Sequence, residues 1–259
     1  MGARGYADPE VSATLERSQR LVTETGGVGT LLHFSVLYGI WVVAYVGGST
    51  NAGLHHATEF LSFAEAQPEA GPLSIGHRIL AASLMMAGDY RRALPHSKTA
   101  ASLYRPDEHR QFAFRYGQDI GASALCYLSW ALWHSGYPDQ GAQTADRAVL
   151  HARQFGHAHT LVYTLWHTAI LAVFGRDVAN VERLAKELAA IAAEHGFPLW
   201  SAYAEILLGW VAAQSGQALN GVVQMRAGLT ATTATGSRLL EPLFSRADSR
   251  GSDARWADG

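Results

Sequence analysis

The sequence predicts an all-α fold, a right-handed α-solenoid of antiparallel helix pairs, on three observations. Turn glycines recur at Gly48, Gly88, Gly136, Gly175 and Gly216, separated by 40, 48, 39 and 41 residues. Self-similarity at such a period marks stacked helix pairs, each of which buries its apolar face only against its neighbours. Apolar residues stand at helical spacing on both sides of each glycine, and no stretch alternates apolar and polar for long enough to read as a strand.

The elements follow in order. Residues 1–24 read as a polar linker and first helix, 25–243 as the repeat domain, and 244–259 as a disordered Gly/Ser-rich tail. In the first unit, Gly48 makes the turn and Gly53 takes the small position after it. Pro68, Gly71 and Pro72 mark the following loop. The second unit places Leu80, Ala81 and Leu84 on one helix face, turns at Gly88-Asp89-Tyr90, and continues with Ala93 and Ala100. The third repeats this with Leu128, Ser129 and Leu132, then Gly136, then Gly141 and Ala148. In the fourth, Gly175-Arg176-Asp177 keeps the turn, and Asn180 stands where a small apolar residue is expected. Gly196-Phe197-Pro198 closes that unit. The fifth runs Leu208, Gly209 and Ala212, then Gly216, then Gly221 and Gly228. Small residues five and twelve places after the turn let two helices approach closely, which is the tetratricopeptide pattern. The period is nearer 40 residues than the ~34 of that repeat, so longer helices or longer loops are implied. The widest gap holds residues 104–121, YRPDEHRQFAFRYGQDIG.

Bulk properties narrow the function. The chain is 48% hydrophobic and 16% charged, which supplies a continuous core and excludes general disorder. Twenty basic and 22 acidic residues leave a formal net charge of −2, so no electrostatic footprint for nucleic acid is present. The one cysteine, Cys126, excludes a disulfide framework and suits a reducing cytoplasm. Leu31 to Val46 is apolar over 16 residues, short of the ~20 of a bilayer span and without flanking cations. It reads as a buried helix, so no membrane association is expected.

Several motifs carry a resemblance. They are Gly5-Tyr6-Ala7-Asp8-Pro9-Glu10-Val11, Val36-Leu37-Tyr38-Gly39-Ile40-Trp41, Tyr116-Gly117-Gln118-Asp119, Ala131-Leu132-Trp133, Gly136-Tyr137-Pro138-Asp139-Gln140 and Gly196-Phe197-Pro198-Leu199-Trp200. Gly209-Trp210, Met225-Arg226-Ala227-Gly228-Leu229 and Ala234-Thr235-Gly236 add to them. Across residues 5–243 the chain resembles the C-terminal tetratricopeptide-like region of bacterial proteins that join a class III adenylate/guanylate cyclase domain to an AAA-type ATPase domain. The resemblance implies a helical scaffold that senses a partner and biases nucleotide-driven machinery. The cyclase metal-binding aspartates have no counterpart here. Gly26-Gly27-Val28-Gly29-Thr30 lacks the lysine that a phosphate-binding loop needs. After Glu241-Pro242-Leu243 such proteins continue with another helix pair, whereas this sequence turns polar. That change reads as a truncation or a shifted frame.

Candidate sites are few. Arg110, Tyr116, Gln118 and Asp119 form the most unusual polar-aromatic stretch, a contact patch for a peptide or regulatory ligand. Asp119 also reads as the N-cap of a helix starting near Ile120. Trp130, Trp133 and His134 lie on the first helix of the third unit, where aromatics can anchor a partner. The twelve histidines, His151, His157 and His159 among them, show no metal-ligand spacing. Ser74 and Ser83 lack a nucleophile elbow, the acids Asp107/Glu108 and Glu182/Glu187 read as solvated faces, and Cys126 reads as a buried inert thiol. No catalytic residue, cofactor or metal is assigned. The sequence therefore predicts a non-catalytic, cytoplasmic scaffold for a protein or peptide partner, or a separated fragment of a cyclase/ATPase. A groove-based enzyme is the weaker alternative. Leu207, Leu208, Val211 and Val222 are expected to lie partly uncovered at the last pair and to promote self-association.

Overall fold

The computed structural model describes residues 9–239, and all the regular structure in them is helical. The predicted disordered tail at 244–259, the Glu241-Pro242-Leu243 stretch and most of the opening Gly5 motif lie outside these residues. Five antiparallel pairs form the array: α2 (Leu31–Val46) with α3 (Thr50–Glu65), α4 (Ala70–Met86) with α5 (Tyr90–Leu103), α8 (Ile120–His134) with α9 (Pro138–Phe155), α10 (Ala158–Phe174) with α11 (Val178–Glu194), and α12 (Pro198–Gln214) with α13 (Ala218–Ala234). Helix α1 (Pro9–Glu24) packs on α2. The short α6 (Pro106–His109) and α7 (Phe112–Tyr116) fill the widened gap. From the second pair onward, the first helices of successive pairs pack on one another, α8 on α4, α10 on α8 and α12 on α10. The array is an α-solenoid.

The 40-residue period comes from long helices rather than long loops. From α10 to α13 each helix has 17 residues and each turn between them has three. Asp89, Asp119 and Asp177 start α5, α8 and α11 by accepting the amide of the residue three places on, which satisfies a donor the helix itself cannot. The loop expected around Pro68 and Pro72 is shorter than predicted, because Gly71 and Pro72 already belong to the first turn of α4. There Gly71 lies against the Phe112 ring.

Two expectations for the fourth unit need correction by one residue. Gly48, Gly88, Gly136 and Gly216 have left-handed φ between 78° and 88°, the conformation that closes the helix ahead of the turn. Gly175 does not, with φ −80°. The left-handed position belongs to Arg176, φ 54°, and counting from it restores the spacing of 40 on both sides. The interhelical position five residues later is then Val181, which is fully buried, and Asn180 is the residue whose amide caps on Asp177.

The last pair solves the same problem with glycine. Gly221 on α13 meets the Gly209 carbonyl of α12, and a Cβ at Gly228 would stand 2.6 Å from Ile206. This close approach buries Leu207 and Val211, so they are not left uncovered as the sequence suggests, and Leu208 is half-buried. The exposed apolar residues of this end are Leu219, Val222 and Val223, on the far side of α13. Beyond α13 the chain returns to the start of the array. The Arg238 amide donates to the Val46 carbonyl at 2.9 Å, and Ser237 pairs with the Tyr203 hydroxyl at 2.9 Å. The solenoid therefore curls until its end touches the turn of its first pair.

Candidate functional site

An aromatic cup forms where the curl brings five first helices to face one another. Helix α2 contributes Tyr38, Trp41 and Tyr45; α4 contributes Arg78; α8 contributes Tyr127. Helix α10 adds His159, Tyr163, Trp166 and His167, and α12 adds Leu199, Trp200 and Tyr203. The cavity holds about 490 Å³, within the range of small-ligand and short-peptide sites. Ser35, Phe114, Arg115 and Leu239 complete its lining, and Phe114 is 82% exposed. The rings brace one another: Trp41 stacks on Tyr45 at 4.8 Å, Trp166 on Tyr203 at 4.9 Å, and Tyr38 meets Tyr116 edge-on at 4.9 Å. Offset and edge-on pairs of this kind fix ring positions beyond what burial alone achieves.

Arg78 lies in the floor of the cup at 1% exposure. Its Cζ stands 5.4 Å from the Tyr38 ring centre and 5.5 Å from that of Trp41, close enough for cation–π attraction. Burial works against its charge, but the electron-rich faces of Tyr38 and Trp41 oppose that, and the guanidinium keeps its proton throughout the neutral range. Arg78 is thus a permanent buried cation. Its Nε and Nη2 have no hydrogen-bond partner, and no carboxylate lines the cavity among the described residues.

Orphan polar atoms concentrate here. Eight buried side-chain atoms among the described residues lack a partner, and five of them belong to cup residues: Arg78 Nε and Nη2, Tyr116 Oη, His159 Nδ1 and Tyr163 Oη. Unsatisfied buried groups are rare elsewhere in folded proteins and mark places built for something else. Burial shifts several of the cup's titratable groups away from neutral-pH exchange. Burial raises Tyr163 well above its usual value and pushes Tyr116 up to about 12. Burial also lowers His159, and it lowers His167 to about 3, with the Tyr163 carbonyl opposing and Arg78 adding to the effect.

The sequence-predicted residues divide. Tyr116 and Gln118 do line the cup, and Gln118 Nε2 donates to the Tyr38 hydroxyl at 2.8 Å. Trp130 and His134 line a neighbouring cavity of about 300 Å³ that shares Tyr45, Trp166 and Leu239 with the cup. Trp130 donates to the His167 carbonyl at 2.8 Å, and His134 stacks on Tyr90 at 4.3 Å. Trp133, Arg110 and Asp119 line neither cavity. Trp133 is half-buried against Gly175. Arg110 lies over the Phe155 ring at 4.6 Å and donates to its carbonyl. Asp119 is fully buried as the α8 cap, accepting from the Ala122 amide and the Tyr104 hydroxyl at 2.7 Å each and pairing with His151 at 2.8 Å.

The remaining candidates have structural partners. Ser83 accepts from Trp41 Nε1 and donates to the Gly53 carbonyl, and Ser74 donates to the Ala100 carbonyl. Burial pushes the Cys126 thiol up to about 12. His157 pairs with Thr160, and His159 accepts from Trp200. The ligand atoms that do gather are those of His55, His56 and Glu59, within 4.8 Å of one another on the outer helix α3. Reasoning from sequence missed Arg78 and most of the cup. The available signal was a lone arginine inside Ile75-Gly76-His77-Arg78-Ile79-Leu80, an otherwise apolar helix face.

No family model and no curated protein matches the chain. Solved structures do. The apo form of RapI is similar with a TM-score of 0.57 at 12% identity, over 87% of this chain and 93% of that one. BtubC (BKLC) from P. vanneervenii is similar with a TM-score of 0.56 at 15% identity, over 89% and 91%. At these identities the likeness is one of fold, a tetratricopeptide-like helical repeat. Among the described residues no helix is long and apolar enough to cross a membrane.

Proposed function

We propose that this chain is a non-catalytic, cytoplasmic binding module that takes a segment of a protein partner in the aromatic cup. One observation carries the reading: the first helices of all five pairs converge on one open cavity, four of them with aromatic rings and α4 with Arg78, and most of the buried unpartnered polar atoms of the described residues belong to its lining residues. Preformed curvature lowers the entropic cost of ordering a bound segment. Burial holds His167 and the Tyr116 and Tyr163 phenols away from proton exchange at neutral pH, which favours recognition over acid–base chemistry.

The test is a random-peptide display selection on the intact chain, counter-selected on Ser35→Trp, which places an indole on the lining beside Phe114. Enrichment of short segments that fail on the variant supports the reading. Segments that bind both proteins equally, or no enrichment, contradict it. Regulation of a cyclase/ATPase-type protein is the finer proposal and rests on the motif resemblance, of which Tyr116 and Gln118 lie in the cup. The fragment reading is its alternative. Cyclase or ATPase coding sequence next to this reading frame would support either, and its absence would favour an independent adaptor. Self-association is a separate proposal, with Leu219, Val222 and Val223 as the exposed strip, and sedimentation showing only monomer at high concentration would count against it.

A further inference from the structure

We infer that the cup selects a carboxylate carried beside an aromatic side chain, and that Arg78 is the group that receives it. This deepens the binding reading above and rests on the cup being the binding surface. Nε and Nη2 are the two side-on donors of the Arg78 guanidinium, the fork that matches the two oxygens of a carboxylate. Both are unpartnered, two of the eight such buried atoms among the described residues. Tyr116 and Tyr163 place two more unpartnered hydroxyls on the same cavity, and burial keeps both phenols protonated and able to donate.

The charge balance points the same way. The lining holds Arg78 and Arg115 and, among the described residues, no acid. Arg115 is already engaged with the Leu31 carbonyl and the Ser35 hydroxyl. One free buried cation matches a singly charged carboxylate better than a phosphate, which would need a second cation in place. The walls set the neighbouring group: Trp41, Tyr45, Trp166, Trp200 and Tyr203 form an apolar ring cage that suits an aromatic side chain. The fork is itself solvent-excluded, so seating a carboxylate requires the rings packed on Arg78, Tyr38 and Trp41 among them, to move aside.

The experiment titrates the intact chain and follows the fluorescence of the cup tryptophans. The probes are acetyl-Ala-Ala-Phe with a free C-terminus, the same peptide as its C-terminal amide, and phenylacetate with phenylacetamide. The expected result is saturable binding of the free-acid peptide, with the amide weaker by about tenfold or more, as loss of a charge-assisted pair requires. Arg78→Met should erase the difference between acid and amide, and Arg78→Lys should keep part of it. Far-UV circular dichroism checks that both variants fold, and the acid–amide comparison on the unmutated chain decides the matter whatever the variants do. Equal affinity for acid and amide overturns the inference. If display-selected peptides still bind, the binding reading survives that failure. Selectivity for phenylacetate over its amide, with no binding of either peptide, leaves carboxylate recognition standing and overturns the peptide as its source.

Discussion

The inner row of helices and the outer row are built on different chemistries. The outer helices α5, α9 and α11 bury a narrow strip, Ala93, Ser97 and Ala100 in α5 or Val181, Leu184, Ala185 and Leu188 in α11, and send their charges outward. The inner helices α2, α8, α10 and α12 are apolar nearly all round and carry most of the aromatic rings. Helix pairing needs only the strip, as α5 and α11 show. The inner row therefore has an excess, rings and a cation facing a cavity, that packing between helices does not require. The difference separates residues that make the solenoid from residues that the solenoid displays.

The largest expected effect comes from acid, and it acts on the inner row. The folded chain takes up a proton at His167 only near pH 3, whereas the unfolded chain takes it up near the ordinary histidine value of about 6.5. The unfolded state thus binds more protons across that window, and stability falls as pH drops from about 6.5 to about 3. His159 and His77, both lowered chiefly by burial, add to the slope in the same direction, as does His96 of the outer helix α5. Denaturant midpoints measured against pH should show the fall, and His167→Asn should flatten it. A midpoint independent of pH would remove the inner row's buried neutral histidines from the account.

Next in size is the outer row. Leu188→Ala, at a fully buried position of α11, should cost about 3 kcal/mol through lost burial and the space left behind. It should leave the acid–amide selectivity of the cup unchanged, and a large change in that selectivity would show that the two rows are not separable. A smaller effect of opposite sign is expected at the turn. Arg176→Gly relieves a left-handed conformation that costs a non-glycine residue about 1 kcal/mol, so urea unfolding should shift upward. A downward shift would mean that contacts of the Arg176 side chain outweigh the strain. Smallest is Arg153→Ala, which removes the 2.8 Å pair with Glu187 between α9 and α11. Both groups are partly exposed, so the loss should stay below about 1 kcal/mol, and salt should shrink it.

The solenoid was legible because its signals are local. Glycine at the left-handed turn position, aspartate at the helix start and small residues at the crossings each read directly from neighbouring sequence. Legibility failed where a residue broke the local rule. Arg176 occupies a glycine position, which moved the expected turn to Gly175 and the expected crossing residue to Asn180. The cup was hardly legible because its lining is assembled from six helices, the five first helices and α7, across more than 160 residues, Tyr38 to Tyr203. Each contributing aromatic, taken alone, looks like core. The Tyr116–Asp119 stretch was found, but only its first three residues face the cavity. Asp119 turns the other way, to cap α8, because a buried carboxylate needs the three partners it finds there.

The most direct test of the central claim is the thermal stability of Arg78→Met without any ligand. Arg78 has no ionic partner among the described residues, and the cost of burying its charge outweighs its cation–π contacts with Tyr38 and Trp41 in this reading, whereas a methionine of similar length would fill the same space without that cost. The account predicts that the variant melts at or above the temperature of the unmodified protein. A clearly lower melting temperature would mean that Arg78 holds the inner row together, and that the cup was not built around a waiting charge.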